Sequence, residues 1–336
     1  MKKLDSLQYA RALAAMFVVV AHTVNQFHLY STTGNIFFDE VIRRTTHLGD
    51  IGVYIFFVIS GYIMSYTTKN KDFGLKYSSV FIKKRIVRIY PLYWIFLTLL
   101  VFLWAIGIAL KSQDIDVGKI IFSYLLIPYG VTGNKIDTPV MSQSWTLSYE
   151  MFFYITFCFL IFFNVKKEKI SIYLTLIFST LFIAASYNLL PSIEANLFFS
   201  KWLIFLFIAG VAIERNESYF QNLTGGMSDA SCWLMASTFV LIAIYIEKPV
   251  YLDCIISTFI MLLILPVRNK HDSLLKIGDA SYTIYLTHNF VVMTYGIFVK
   301  KVPNAFVCAT VGVATILLCV PFGLVLYRLV EKRIHQ

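Results

Sequence analysis

Stretches of about twenty apolar residues, each long enough to cross a hydrocarbon core of ~30 Å, recur along this 336-residue chain with short polar interruptions between them. Ten are counted, at roughly 7–30, 49–68, 89–110, 145–164, 170–187, 196–213, 231–247, 250–268, 280–300 and 304–329. A backbone in lipid must satisfy its own hydrogen bonds, and the alternating pattern of barrel strands is absent, so each block reads as a helix. The expected fold is an all-α integral membrane protein, a bundle of about ten transmembrane helices forming one domain over 1–336. The gaps near 31–48, 69–88 and 111–144 are too short for an independent folded unit, and no internal repeat of the transporter kind is visible. A content of 58% hydrophobic and 14% charged residues fits that class.

The first block follows a basic "MKK" start, as a secretory signal would. It contains Arg11, however, has no small-residue cleavage site and runs directly into a polar loop, so it reads as a retained helix. Ten crossings place both termini on one side. Of the Lys and Arg residues, 19 fall on the termini and even-numbered connections and 9 on the odd-numbered ones, with Lys2 and Lys3 among the former. The positive-inside rule then makes both termini cytoplasmic. A net charge of +10 is accounted for by that topology and by attraction to anionic lipid, without a nucleic-acid partner. The five cysteines lie in apolar blocks with no metal-ligand spacing and read as packing residues, so no metal is expected.

Ionisable residues inside such blocks mark sites where function can override lipid solubility. Arg11 and His22 are eleven residues apart, which at 100° per residue is three turns plus about 20°, so both lie on one helix face, roughly 16 Å apart. Either Arg11 snorkels to the headgroups while His22 sits near the far end, or the pair lines a cavity through the protein. The second block, "GDIGVYIFFVISGYIMSY", contains Gly49, Gly52, Ser60 and Gly61, small residues that favour close helix packing. In "FIKKRIVRIYPLYW" Arg85 and Arg88 share a helical face beside an aromatic belt. They form an ordinary interfacial anchor, or two guanidinium forks able to grip phosphate. "SQSWTLSYEMFFY" places Trp145, Ser148 and Glu150 in the first turns of a span, and a carboxylate there needs solvent, a partner or a proton; Arg11 and His22 are its candidate partners. "GDASYTIYLTH" places Ser281 and His288 on one face, and a lone histidine there reads as a satisfied structural residue.

In their order along the chain these motifs, from "LDSLQYARALAAMFVVVAH" to "GDASYTIYLTH", resemble the membrane-bound acyltransferase-3 family, whose bacterial members O-acylate surface polysaccharides and other extracytoplasmic acceptors. The resemblance spans nearly the whole chain. Its arginine and histidine fall on Arg11 and His22, and its basic motif ahead of the third helix on Arg85 and Arg88. Its "SGF" falls on Ser60, Gly61 and Tyr62, and its "WSLxxE" on Trp145, Thr146, Leu147 and Glu150. Its late "SYxxYLxH" falls on Ser281, Tyr282, Tyr285, Leu286 and His288. Some relatives add an SGNH-type domain at the C-terminus; this chain stops at "YRLVEKRIHQ", which reads as the membrane core alone.

The resemblance and the side-chain chemistry together imply an acyl-CoA-dependent O-acyltransferase using acetyl-CoA or another short acyl-CoA such as succinyl-CoA, in the bacterial inner membrane. Arg85, Arg88 and Arg11 would hold the donor's phosphates. His22 would act as general base, Glu150 or His288 would orient or charge-balance it, and Ser60, Trp145, Ser148, Tyr285 and His288 would bind substrate or shape the site. The expected acceptor is a cell-surface or lipid-linked glycan, with polysaccharide-assembly proteins as further partners. A polytopic transporter or exporter using the same Arg, His and Glu, a structural membrane subunit, and an enzyme acylating a small metabolite are the alternatives.

Overall fold

Each of the ten apolar blocks holds a helix, but the helices differ from the blocks in length and continuity. The computed structural model describes residues 4–111, 113–224, 226–246 and 248–334; Lys2 and Lys3 lie outside the described residues. In chain order the helices are α1 (Leu4–Tyr30), α2 (Ile36–Thr45), α3 (Leu48–Thr68), α4 (Leu75–Ala105) and α5 (Val117–Leu125). A small antiparallel hairpin follows, β1 (Val131–Thr132) paired with β2 (Lys135–Ile136). Then come α6 (Trp145–Phe162), α7 (Ile170–Ser186), α8 (Ile193–Phe199), α9 (Ile204–Arg215), α10 (Glu217–Thr224), α11 (Asp229–Tyr245) and α12 (Val250–Ile264). The last are α13 (Asp272–Asp279), α14 (Ser281–Val299) and α15 (Ala305–Leu326), followed by a π-helical turn at Tyr327–Glu331 and a final short helix, α16 (Lys332–Ile334).

The chain is therefore an all-α, multi-pass membrane protein. Among the described residues seven helical segments are long and apolar enough to cross a bilayer, or eight if α10 and α11, which meet at 104°, form one broken span. This differs from the expected ten for physical reasons. The fifteen residues of α12 are short for a span, and α14 is diluted by His288, Asn289 and a series of hydroxyl side chains. The third block also begins earlier than its hydropathy suggests, because the basic stretch before residue 89 continues the same helix back to Leu75. Arg85 and Arg88 thus lie within α4 rather than ahead of it.

The described residues divide into two compact units, one of residues 4–62 and 213–334, the other of residues 63–212. In the first unit α1 packs against α12, α13, α14 and α15. Its Ala10, Ala12, Ala14 and Ala15 are all buried, and Ala15 and Val19 form a core with Ala280, Ile284, Val292 and Cys319. Small side chains allow this approach. At Gly52 of α3 an added Cβ would lie 2.5 Å from the backbone oxygen of Ala14, which places one expected packing glycine directly against α1.

The second unit is built on rings. Phe81 of α4 stacks with Phe157 of α6 at 5.6 Å between centroids, and Phe153 of α6 stacks with Phe207 of α9 at 4.4 Å. The segment after α4 turns back along it. At the end of α5 three successive carbonyls accept hydrogen bonds from three α4 side chains: Ser123 O from Tyr93 Oη at 2.6 Å, Tyr124 O from Trp94 Nε1 at 3.0 Å, and Leu125 O from Tyr90 Oη at 3.2 Å. The last carbonyls of any helix have no partner within it, so the aromatic belt of "RIYPLYW" supplies what α5 lacks.

Candidate functional site

In the first unit His22 meets the "YLTH" motif of α14. Its Nδ1 lies 3.1 Å from Oδ1 of Asn289, and its ring stands edge-to-face on the imidazole of His288, 5.0 Å between centroids. An amide oxygen only accepts, so Nδ1 of His22 is the protonated nitrogen and Nε2 keeps its lone pair. His288 is fully buried. Its Nδ1 donates to the carbonyl of Tyr285 at 2.7 Å within its own helix, while its Nε2 has no hydrogen-bond partner. His288 therefore has one nitrogen satisfied within its own helix and one buried nitrogen without a donor, which a ligand hydroxyl could satisfy.

Of the other predicted residues of this unit, Tyr285 lies beside the pair. Tyr285 is buried edge-to-face against Phe56 of α3, at 5.9 Å, and its ring lies 6.0 Å from that of His288. Ser60 is half-buried on α3. Arg11 lies half-buried toward the other end of α1, within electrostatic reach of Asp279, the residue two before the start of α14. Desolvation raises the Asp279 carboxyl above the ordinary carboxylate range, and the Arg11 guanidinium pulls against that rise.

In the second unit Glu150, Arg85 and Arg88 gather around one residue that the sequence reading did not single out, Tyr154. The Tyr154 hydroxyl donates to the Glu150 carboxylate one turn back. The Arg85 guanidinium stands over the Tyr154 ring at 5.6 Å and the Phe81 ring at 5.4 Å, and both Arg85 and Arg88 lie within electrostatic reach of Tyr154. The Nε of Arg85 is buried and has no hydrogen-bond partner. A charged donor in that state is suited to a phosphate or carbonyl oxygen brought by a ligand.

Trp145 and Ser148, predicted on the same span, sit at the start of α6 on the wall of a cavity of about 300 Å³ formed with α5, the hairpin and α8. Thus the structure joins His22 with His288 and Tyr285 in one unit, and groups Glu150 with the arginines in the other. Asn289 and Tyr154 are the additions. Each had a sequence signal: Asn289 is a second polar residue beside His288 in an apolar helix, and Tyr154 lies four residues from Glu150, on its face. Among the described residues no group of three or more His, Cys, Asp or Glu side chains could hold a metal ion.

Comparison with known proteins gives this arrangement a context. The family model for an acyltransferase domain, acyltransferase-3, matches residues 4–326. The exopolysaccharide production protein ExoZ of Rhizobium meliloti (strain 1021) is 26% identical over 266 residues, covering 74% of this chain and 80% of that protein. The acyltransferase MdmB of Streptomyces mycarofaciens is 29% identical over 162 residues, covering 46% of this chain and 38% of that protein. No solved structure matches.

Proposed function

The chain belongs to the acyltransferase-3 family, and from that membership we propose that this membrane acyltransferase moves a short acyl group, acetyl in the simplest case, from cytoplasmic acyl-CoA to a hydroxyl of a cell-surface or lipid-linked glycan. The observation that supports the chemistry best is the hydrogen bond from His22 to Asn289, which leaves His22 Nε2 as a bare base within a helix of the bundle. The glycan acceptor is supported by the relative named for exopolysaccharide production.

In this reading Nε2 of His22 takes the proton of the acceptor hydroxyl as its oxygen attacks the thioester carbonyl carbon. The carbon–sulfur bond then breaks, and the imidazolium returns the proton to the leaving thiolate, so the histidine ends as it began. Arg85 and Arg88 hold the donor's phosphates, with the buried Nε of Arg85 as one donor, and Arg11 contributes positive charge on the face it shares with His22. Glu150 steadies the arginine cluster through Tyr154. His288 offers its free Nε2 to the acceptor, and Ser60 and Tyr285 shape the surroundings of the pair. The protein works as one acyltransferase domain in the bacterial inner membrane with both termini in the cytoplasm, the orientation favoured by its Lys and Arg distribution.

The test is transfer of label from acetyl-CoA to a host glycan fraction by the protein purified into lipid nanodiscs, with His22→Ala beside the wild type. We expect label in the glycan with the wild type and loss of transfer in the variant. Unchanged transfer by His22→Ala at equal expression would remove the histidine from the mechanism. Absence of acetyl-CoA turnover, with flux of a solute across the membrane instead, would make the protein a transporter.

A further inference from the structure

The cavity at the start of α6 has a chemical character that its two predicted residues do not convey. At about 300 Å³ it is at the lower end of the range, roughly 300–1,000 Å³, of pockets that hold small molecules. Part of its lining is made of aromatic rings held in place by one another. Phe122 stacks on Tyr129 at 4.8 Å, Tyr149 stacks on Phe198 at 3.8 Å and 5°, and Trp145 stands edge-on to Tyr149 at 5.9 Å. The Tyr149 hydroxyl is committed to the backbone oxygen of Phe198, 2.9 Å away, so that ring is fixed as a wall rather than available as a donor. Around these faces stand polar groups of mostly one sign: Lys119, Lys135 and Lys201 against a single carboxylate, Asp137. Ser148 adds a neutral hydroxyl.

A ligand that fits must offer a flat, weakly polar face to aromatic rings, an edge of hydroxyls to Ser148, and negative charge to lysines. A pyranose ring presents the first two, and an anionic substituent on or next to it presents the third. We propose that this cavity binds the acceptor as a saccharide bearing an anionic group close to its ring. The proposal deepens the acyltransferase reading and rests on it for the word acceptor; the binding itself does not. The charge has two chemical sources, a uronate in the glycan or the phosphate through which a sugar is joined to a lipid carrier. The site is separate from the arginine cluster. Trp145 and Tyr154 are nine residues apart on α6, which puts the cavity about 13 Å along the helix axis from the residues proposed to hold the donor's phosphates.

The test is direct binding, by titration calorimetry, to the full-length protein in nanodiscs with no acyl donor present. The probes are a glucuronate-terminated disaccharide, glucose 1-phosphate and neutral cellobiose. We expect one of the two anionic sugars to bind about tenfold or more tightly than cellobiose, and which one does so identifies the source of the charge. The double substitution Lys119→Gln with Lys201→Gln should abolish that preference while cellobiose binding persists, which also reports that the variant is folded. Lys119→Arg with Lys201→Arg should retain the preference, and Trp145→Ala should lose all three sugars. Equal affinity for charged and neutral sugars, or a preference that survives the double glutamine substitution, overturns the proposal. Anionic sugar binding with no acetyl transfer to any saccharide would stand against the enzyme reading instead, leaving the saccharide site in place.

Discussion

Asn289 presents its side-chain oxygen to Nδ1 of His22 at 3.1 Å, and the residue beside it in sequence, His288, packs edge-to-face with the same imidazole. One turn of α14 thus fixes both the tautomer and the tilt of the proposed base. With His22 as the proposed base, Asn289 is expected to act as a positioning residue: it would not touch the reacting atoms but would decide which nitrogen can. Asn289→Ala should lower kcat by about tenfold or more while leaving KM for the acyl donor near its wild-type value. Asn289→Gln, which restores an amide oxygen at longer reach, should recover part of the loss. Steady-state kinetics on both variants checks this, and an effect on KM alone would count against the role.

Gly52 is required by space rather than by backbone conformation. With the Ala14 carbonyl 2.5 Å from where a Cβ would stand, Gly52→Ala must push α3 away from α1, because a backbone oxygen cannot rotate aside as a flexible side chain can. The expected loss is about 1–3 kcal/mol, read as a lower unfolding temperature in detergent.

Lys248 joins the end of α11 to α12. Its ammonium donates to the carbonyls of Ala243 and Ile246 at 2.7 and 3.0 Å and lies 3.0 Å from the carboxylate of Asp253, with only 6% of its side chain exposed. Lys248→Met would leave two helix-end carbonyls and a carboxylate without their cation. A loss of about 3 kcal/mol in the thermal unfolding of the variant is expected, partly reversed when Asp253→Asn is added.

Asp279 gives a pH dependence with a definite sign. Its folded carboxyl sits above the ordinary range because partial desolvation outweighs the pull of Arg11. The folded state therefore holds this proton more tightly than the unfolded chain does. The resulting stabilisation is full below the ordinary carboxylate range and lost as pH rises through the higher folded value. Asp279→Asn should flatten that decline in an unfolding series from pH 3 to 7, whereas Arg11→Gln should carry it to higher pH. The effect should be shallow, since the carboxyl is exposed enough for solvent to screen it.

The apolar blocks made the helical, membrane-bound character legible, because the length of a hydrocarbon core is a physical constant that sequence must meet. Continuity was less legible. Hydropathy marks where lipid is tolerated, not where a helix starts, so α4 extends back through Lys83, Lys84 and Arg85, residues that are good helix formers. Spacing on a single helix placed Arg11 and His22 on one face, but no spacing rule joins residues of α1 and α14, and the contact of His22 with His288 and Asn289 emerges only from packing. The segment 111–144 shows no strong period. Its cavity is formed by a short helix, a two-residue hairpin turn and side chains brought in from α6 and α8, and no local pattern announces such a composite.

The three hydrogen bonds from Tyr90, Trp94 and Tyr93 to the end of α5 divide labour within that segment. Their acceptors are main-chain carbonyls, so they hold Ser123, Tyr124 and Leu125 through the backbone, while the Ser123 hydroxyl accepts from Val140 N at 3.1 Å and the Tyr124 hydroxyl pairs with Thr98 Oγ1 at 2.7 Å. The scaffold is thereby encoded in one helix and the lining of the cavity in another stretch of chain. Substitutions among the cavity-lining residues of 126–138 can then alter what the cavity prefers while the end of α5 stays where α4 holds it, whereas a change at Tyr93, whose hydroxyl also reaches the lining residue Ser144 at 3.3 Å, would disturb both.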